Sequence, residues 1–156
     1  MSREMKDSGV EWIGEIPETW QVLAVKRYFN ISRGRVISAF DLVNNGKYPV
    51  YSSQTDKDGC FGYLDTYDYS GPAITWTTDG AKAGTVFYRE GKYNCTNVCG
   101  VLQIKPIYKN TSYLKFLTKA IGTVAEFNKR LDINGYKIMS NEMANIHFAG
   151  FVKFFV

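Results

Sequence analysis

The sequence predicts an α/β fold of the α+β kind: a small, twisted, mostly antiparallel sheet with one long helix in the C-terminal half and short flanking helices. Short β-branched or aromatic runs, bounded by Gly, Asp or Asn, follow one another between residues 48 and 106. Apolar residues then recur at three- and four-residue steps over 113–127. The 156 residues fit a single core. We therefore expect one domain over residues 1–156.

The first twenty residues, 1–20, are expected to form an ordered arm. Pro17 lies between Trp12 and Trp20, and proline fixes φ while indole rings bury large apolar areas.

The following run, 21–29, has apolar residues spaced for one helical face. It predicts a short helix that leads from the arm into the sheet.

Four short runs predict the strands of the sheet. They are separated by turn signals such as Asn45-Gly46 and Asp58-Gly59, because Asn, Asp and Gly tolerate positive φ. The predicted strands are 48–51, 71–76, 84–88 and 99–104. Their links are short enough for a meander or a small barrel-like sheet.

The long helix is predicted over 113–127, with Thr111 or Ser112 as its N-cap. Lys129 and Arg130 follow its C-terminus, where cations complement the helix dipole.

The C-terminal residues are expected to form a turn at 132–135 and then a short strand or helical turn over 136–147. Residues 148–156 contain four phenylalanines. Such a segment is either a closing strand or a surface that binds a partner. We interpret it as a truncated exit segment of the domain.

The charge distribution favours a polyanionic partner. The formal net charge is +4, but residues 1–80 carry 8 Lys and Arg against 11 Asp and Glu, whereas residues 81–156 carry 11 against 4. Lys and Arg neutralise phosphates and release counterions. We therefore expect the basic half to contact nucleic acid, although basic surfaces also serve solubility.

Missing motifs exclude several classes of function. Glycine-rich phosphate loops and the GxSxG nucleophile elbow are absent. The chain has one histidine, and its three cysteines form no CxxC pair, so we expect buried thiols at Cys60, Cys95 and Cys99. We predict no catalytic centre, metal site, cofactor or small-molecule substrate. No apolar run reaches the ~18 residues that would span a bilayer, so we expect a cytoplasmic protein that does not contact a membrane.

Polar residues that follow two predicted strands are candidates for reading base edges. Gln can read adenine bidentately, and Ser or Thr can pair with several base edges, although short polar side chains also populate ordinary turns. The candidates for base readout are Ser52, Ser53, Gln54, Thr55, Thr77, Thr78 and Asp79. The candidates for phosphate contacts are Lys82, Lys92, Lys129 and Arg130.

The opening residues, Met5 to Trp20, read MKDSGVEWIGEIPETW and closely resemble the start of many specificity subunits of type I restriction–modification enzymes. The stretches 46–51, 71–88 and 91–97 are similar to the pattern across the first target recognition domain of those subunits. Residues 137–146 resemble the segment that leads out of that domain. The resemblance spans nearly the whole chain.

The resemblance implies a small α/β domain that inserts loops into the major groove of double-stranded DNA and reads one half of a two-part target. In the family, two such domains are separated by long paired helices, which set the spacing of the half-sites and hold two methyltransferase subunits. The specificity subunit has no catalytic centre. Methylation and ATP-driven cleavage belong to the methyltransferase subunits and the restriction subunit.

The end of the chain departs from the family pattern. The family continues into a proline-rich segment and a long helix, whereas the residues after Ile146 read HFAGFVKFFV. We therefore do not predict pairing through that helix.

Two other functions stay open. One is a protein-interaction module that binds the methyltransferase subunit through the Phe-rich end. The other is a small Mg²⁺-dependent nuclease in which Asp79 and Glu90 hold the metal, although a polar hairpin turn also accounts for Glu90.

Overall fold

The computed structural model describes residues 2–108, 110–151 and 155. Its strands are β1 (Met5–Asp7), β2 (Glu15–Pro17), β3 (Gln21–Ala24), β4 (Phe29–Arg33), β5 (Tyr48–Tyr51), β6 (Cys60–Leu64), β7 (Tyr69–Ser70), β8 (Ala73–Thr77), β9 (Val86–Arg89), β10 (Lys92–Cys95), β11 (Cys99–Ile104), β12 (Arg130–Asp132), β13 (Gly135–Lys137) and β14 (His147–Gly150). Its helices are α1 (Val25–Tyr28), α2 (Leu114–Asn128) and α3 (Ser140–Ala144), with a short 3-10 turn at Ala39–Asp41 and a turn containing left-handed residues at Asp56–Gly59. The predicted fold class, with mostly antiparallel strands and one long helix, is confirmed.

The strands of the described residues are divided between two four-stranded sheets and three two-stranded pairs, where the sequence predicted one sheet. One large sheet has the order β6-β5-β10-β7 and the other has the order β4-β11-β8-β9. The β8–β9 hairpin continues through short turns into β7 and β10, which pair with each other in the other sheet. Within the two large sheets, only β5 and β10 are parallel.

Strands β5 and β11 have the predicted bounds, whereas β8 and β9 each begin two residues late. Gly71 and Gly84, the predicted first residues, have φ values of +91° and +86°. This left-handed backbone belongs to turns and not to strands.

The predicted helix over 21–29 is largely wrong. Only Val25–Tyr28 is helical. Residues 21–24 form β3 instead, because they pair in antiparallel register with β14 from the other end of the chain.

Helix α2 covers one face of the β4-β11-β8-β9 sheet. Its buried residues pack with apolar side chains of β8 and β11 in the main core, among them Leu114, Leu117, Ile121, Val124, Ile74, Trp76 and Leu102. The opposite face of the sheet shares a second core with β10, formed by Ala73, Tyr93, Cys95, Cys99 and Val101. Strand β8 is therefore buried on both faces.

Three details of the helix and the cysteines differ from expectation. The N-cap of α2 is Tyr113 and uses no side-chain hydrogen bond, because the Ser112 hydroxyl bonds to Asn110 instead. Phe127, predicted for the apolar stripe, is exposed. Cys95 and Cys99 are buried as predicted, whereas Cys60 is only partly buried.

The two ends of the chain pack onto the same body. Trp20 of the arm contacts Phe116 of α2 edge-to-face, with ring centroids 5.5 Å apart. Phe148 is buried in β14, and Phe155 is buried against the Tyr28 ring. The other residues of the Phe-rich segment include Val152–Phe154 and Val156, which lie outside the described residues. Among the described helices, none is long and apolar enough to cross a membrane.

Candidate functional site

Three polar loops meet at one end of the two large sheets. They are residues 52–59 after β5, 78–85 after β8 and 96–98 after β10. Strands β5 and β10 are parallel, so they finish at the same end. Strand β11 starts after 96–98 and runs antiparallel to β8, so its start lies beside the end of β8. We call these three loops the loop end.

Hydrogen bonds join the three loops through the 96–98 turn. The Thr96 amide donates to the Tyr51 carbonyl at 2.9 Å, and the Ser52 and Thr96 hydroxyls lie 2.8 Å apart. On the other side, the Thr78 amide donates to the Val98 carbonyl at 3.1 Å. The turn therefore fixes the 52–59 and 78–85 loops relative to each other.

The four candidates of the first loop, Ser52, Ser53, Gln54 and Thr55, lie together and are half-buried. The Gln54 side-chain amide donates to the Cys60 carbonyl at 2.6 Å, which closes the base of the loop. The structure thus brings this part of the predicted site together at the surface.

Thr77 and Thr78 are buried, which argues against their predicted role in base readout. Their exposed fractions are 1% and 0%. Thr77 is paired through its backbone with Gly84 and Thr85, and the Thr78 carbonyl accepts from the Ile138 amide at 2.9 Å. Neighbouring chain therefore covers both residues.

Asp79 is partly exposed at the loop end, but Asp79 and Glu90 do not form a metal site. The Asp79 carboxylate accepts from the Thr78 hydroxyl at 2.6 Å and lies 3.8 Å from Lys137 Nζ. Glu90 follows β9 at the opposite end of the hairpin and accepts from the Tyr88 hydroxyl at 2.8 Å. At ~3.3 Å per strand residue, the length of the hairpin separates the two carboxylates by more than ~10 Å. The magnesium pair is therefore not assembled.

Lys82 is the predicted phosphate residue that the structure places best. It lies in the 78–85 loop, is exposed and forms no ion pair within the described part of the chain. Lys57, at the tip of the 52–59 loop, has the same properties. Lys57 was not predicted as a phosphate contact, because the excess of basic residues lies in the second half of the chain.

Arg35 was also missed and lies beside the loop end. It pairs with Thr96 in an isolated parallel bridge, and its Nε lies 2.8 Å from the Asp68 carboxylate. No strand was predicted before Arg35, although β4 ends two residues earlier and leads to this position.

The other three candidates for phosphate contacts either lie at the opposite end of the sheet or are held in ion pairs. Lys92 lies at the opposite end of β10, with Nζ 4.8 Å from the centre of the Tyr67 ring. The other two are held in ion pairs: Lys129 with Glu126 at 2.7 Å, and Arg130 with Glu142 at 2.9 Å and Asp132 at 2.8 Å. Hydrogen bonds to Glu142 and Asp132 raise the pKa of the Arg130 guanidinium.

Comparison with known proteins identifies a family whose model matches most of the chain. The family described as the type I restriction modification DNA specificity domain matches residues 17–148. The chain is 48% identical over 98 residues to the N-terminus of a putative type I specificity subunit of Mycoplasma pneumoniae, covering 62% of this chain and 51% of that protein. It is 47% identical over 103 residues to the specificity subunit of the type I restriction enzyme MpnII of the same organism, covering 65% and 30%. The chain thus spans about half of the first relative and less than a third of the second.

Solved structures share the fold at low sequence identity. The S subunit of a type I restriction–modification system from M. genitalium aligns with a TM-score of 0.68 and 16% identity, covering 84% of this chain and 34% of that one. The HsdS subunit from Thermoanaerobacter tengcongensis aligns with a TM-score of 0.62 and 8% identity, covering 93% and 35%.

Proposed function

Because the chain belongs to the family of type I restriction–modification DNA specificity domains, we propose that it recognises one half of a two-part sequence in double-stranded DNA and catalyses no reaction. Methylation and cleavage are the work of methyltransferase subunits and a restriction subunit, with which it assembles. It acts on DNA in the cytoplasm and needs no cofactor. Residues 1–156 act as one recognition domain, with 1–20 as its arm and 148–156 as its exit segment.

The loop end is the observation that carries this proposal. It presents the half-buried polar residues of 52–55 next to the partly exposed Asp79, on backbone that is hydrogen-bonded to both sheets. A rigid scaffold holds polar side chains in a fixed pattern, as discrimination between base edges requires. Asp79 is suited to accept from the amino group of cytosine, and Gln54 to read adenine.

Lys57 and Lys82 supply the contacts to phosphate. Both are exposed, and neither is neutralised by a carboxylate among the described residues. Cations of this kind attract any duplex, whereas the polar side chains between them select a sequence. The net charge of +4 is modest, so we expect salt-sensitive binding of limited affinity.

A selection experiment tests the proposal. The chain is incubated with a pool of randomised duplexes, the bound fraction is sequenced over several rounds, and fluorescence anisotropy compares the selected duplex with a scrambled one. We expect a preferred sequence that is bound at least about tenfold more tightly, since each wrong base pair typically costs ~1–3 kcal/mol. A pool that stays random through the rounds would overturn the proposal.

Assembly is tested separately. A methyltransferase subunit of a type I restriction–modification system, immobilised on an affinity resin, should retain the chain at moderate salt. Buried Phe148 and Phe155 are poor candidates for that contact, so exposed residues elsewhere should carry it. Failure of the resin to retain the folded wild type would contradict this expectation.

A further inference from the structure

Arg89 is a buried cation that the recognition proposal does not use. It is the last residue of β9, and only 2% of its side chain is exposed. Its guanidinium carbon lies 3.5 Å from the centre of the Tyr51 ring and 4.3 Å from that of the Phe87 ring. A buried cation is unfavourable unless hydrogen bonds and aromatic faces compensate for lost hydration. The bonds that Arg89 makes therefore identify its role.

Those bonds connect the sheet to the 52–59 loop. Arg89 Nε donates to the Thr75 hydroxyl of β8 at 3.0 Å. Its Nη1 donates to the Asp58 carbonyl at 2.7 Å and lies 3.1 Å from the Asp58 carboxylate. The Asp58 side chain is 76% exposed, so the carbonyl is the better protected acceptor. Arg89 thus holds the loop by its backbone.

The backbone held by Arg89 has a conformation that side-chain-bearing residues rarely adopt. Lys57, Asp58 and Gly59 have φ values of +50°, +56° and +79°. Three successive left-handed residues are unfavourable without outside contacts. A Cβ atom on Gly59 would lie 2.8 Å from Arg89 Nη2, so the glycine also makes room for the guanidinium.

We propose that Arg89 is a positioning residue: it sets the conformation of the 52–59 loop and, through it, the sequence preference of the loop end. The link to sequence preference rests on the proposed function. The role of Arg89 in the loop conformation concerns the loop alone and is testable without DNA. Arg89 contacts no base itself, because it is enclosed by Tyr51, Phe87 and the loop.

Limited trypsin digestion tests the role of Arg89 in the loop conformation. Trypsin cuts after Lys57. We compare the wild type with Arg89→Lys, which keeps the positive charge but loses the planar guanidinium group that donates to Asp58. We expect cleavage after Lys57 to rise at least about tenfold, because a charge-assisted hydrogen bond is lost. Cleavage after Lys119 in α2 should stay unchanged, which shows that the domain remains folded. The matched control is Arg27→Lys, an exposed arginine over the Tyr28 ring.

A second variant guards against misfolding. Thr75→Val keeps Arg89 and the whole loop and removes only the hydroxyl that accepts from Nε. If circular dichroism shows that Arg89→Lys does not fold, Thr75→Val should still raise cleavage after Lys57 several-fold. If the variant that folds is cleaved after Lys57 no faster than the wild type, the proposal is overturned.

DNA binding tests the link to sequence preference. On the duplex selected by the wild type, Arg89→Lys should lower the ratio of matched to scrambled affinity at least about tenfold, while affinity for scrambled duplex stays within about twofold because Lys57 and Lys82 remain. A variant with a loosened loop and an unchanged ratio would refute the link to sequence preference. If the wild type itself prefers no sequence, the proposed function fails, and cleavage after Lys57 still decides whether Arg89 holds the loop.

Discussion

At the scale of single residues, Tyr93 shows how tightly the two sheets enclose polar groups. It is fully buried on β10, with its ring stacked on Tyr69 at a centroid distance of 5.6 Å. Its hydroxyl has no hydrogen-bond partner among the described residues. Burial raises the pKa of Tyr93 above its usual value, because the charged phenolate is disfavoured away from water.

Tyr93→Phe should therefore stabilise the protein. We expect the free energy of unfolding at pH 7 to rise by about 1 kcal/mol, since an unpaired buried hydroxyl is removed. The raised folded-state pKa gives stability that is present below the unfolded-state pKa of about 10 and is lost as pH rises above it. The variant should lose less stability than wild type between pH 9 and pH 11 in urea titrations. Exposed Tyr67→Phe is the control, and a less stable Tyr93→Phe at pH 7 would contradict the argument.

Lys82 and Lys92 test the placement of the phosphate contacts. Lys82 lies at the loop end, whereas Lys92 lies at the far end of β10. Lys82→Ala should weaken binding to all duplexes alike and reduce the slope of log affinity against log salt by about one. Lys92→Ala is the matched control and should leave the slope unchanged in anisotropy titrations. Equal slopes for the two variants would show that the DNA lies elsewhere.

At the scale of elements, α2 packs its apolar residues against one face of its sheet. Ile121 is fully buried in the middle of this helix, and Lys119 is exposed on its outer face. Ile121→Ala should lower the free energy of unfolding by ~2–5 kcal/mol, since it removes buried methyl groups and leaves a cavity. Lys119→Ala should change it by less than ~0.5 kcal/mol. Similar losses for the two variants in urea unfolding would contradict the observed orientation of the helix.

Elements that carry their own signal were predictable, and elements made by distant pairing were not. The apolar period of α2 and the β-branched or aromatic runs of β5 and β11 lie within the elements themselves. Strand β3 exists because β14 pairs with it from more than 120 residues away. The local sequence contains no information on such a distant partner, so its apolar spacing predicts a helix over 21–24.

At the scale of the whole molecule, the polar loops were predictable from the sequence, and the exposure of their individual residues was not. Polar loops after two strands were visible in the sequence, and the topology does bring them together. Thr77 and Thr78 are buried because the 96–98 turn and the chain near Ile138 cover them. Arg130 is neutralised by Glu142, twelve residues away. Such tertiary contacts decide which polar residues remain free.

Arg89 is a residue whose role could not be predicted from the sequence, because its contacts are made by distant parts of the chain. In the sequence it stands beside Glu90-Gly91 and reads as part of a polar hairpin turn. In the fold it is buried between two aromatic rings and holds a loop that is about thirty residues earlier in the chain. Only the packing of the two sheets reveals that connection.

Hydrogen–deuterium exchange of the chain with and without its selected duplex tests the central claim most directly. We expect protection of the backbone amides in 52–59, 78–85 and 96–98, and unchanged exchange at the opposite end around Gly71 and Gly91. Protection confined to that opposite end, or to the arm and α2, would contradict recognition by the loop end.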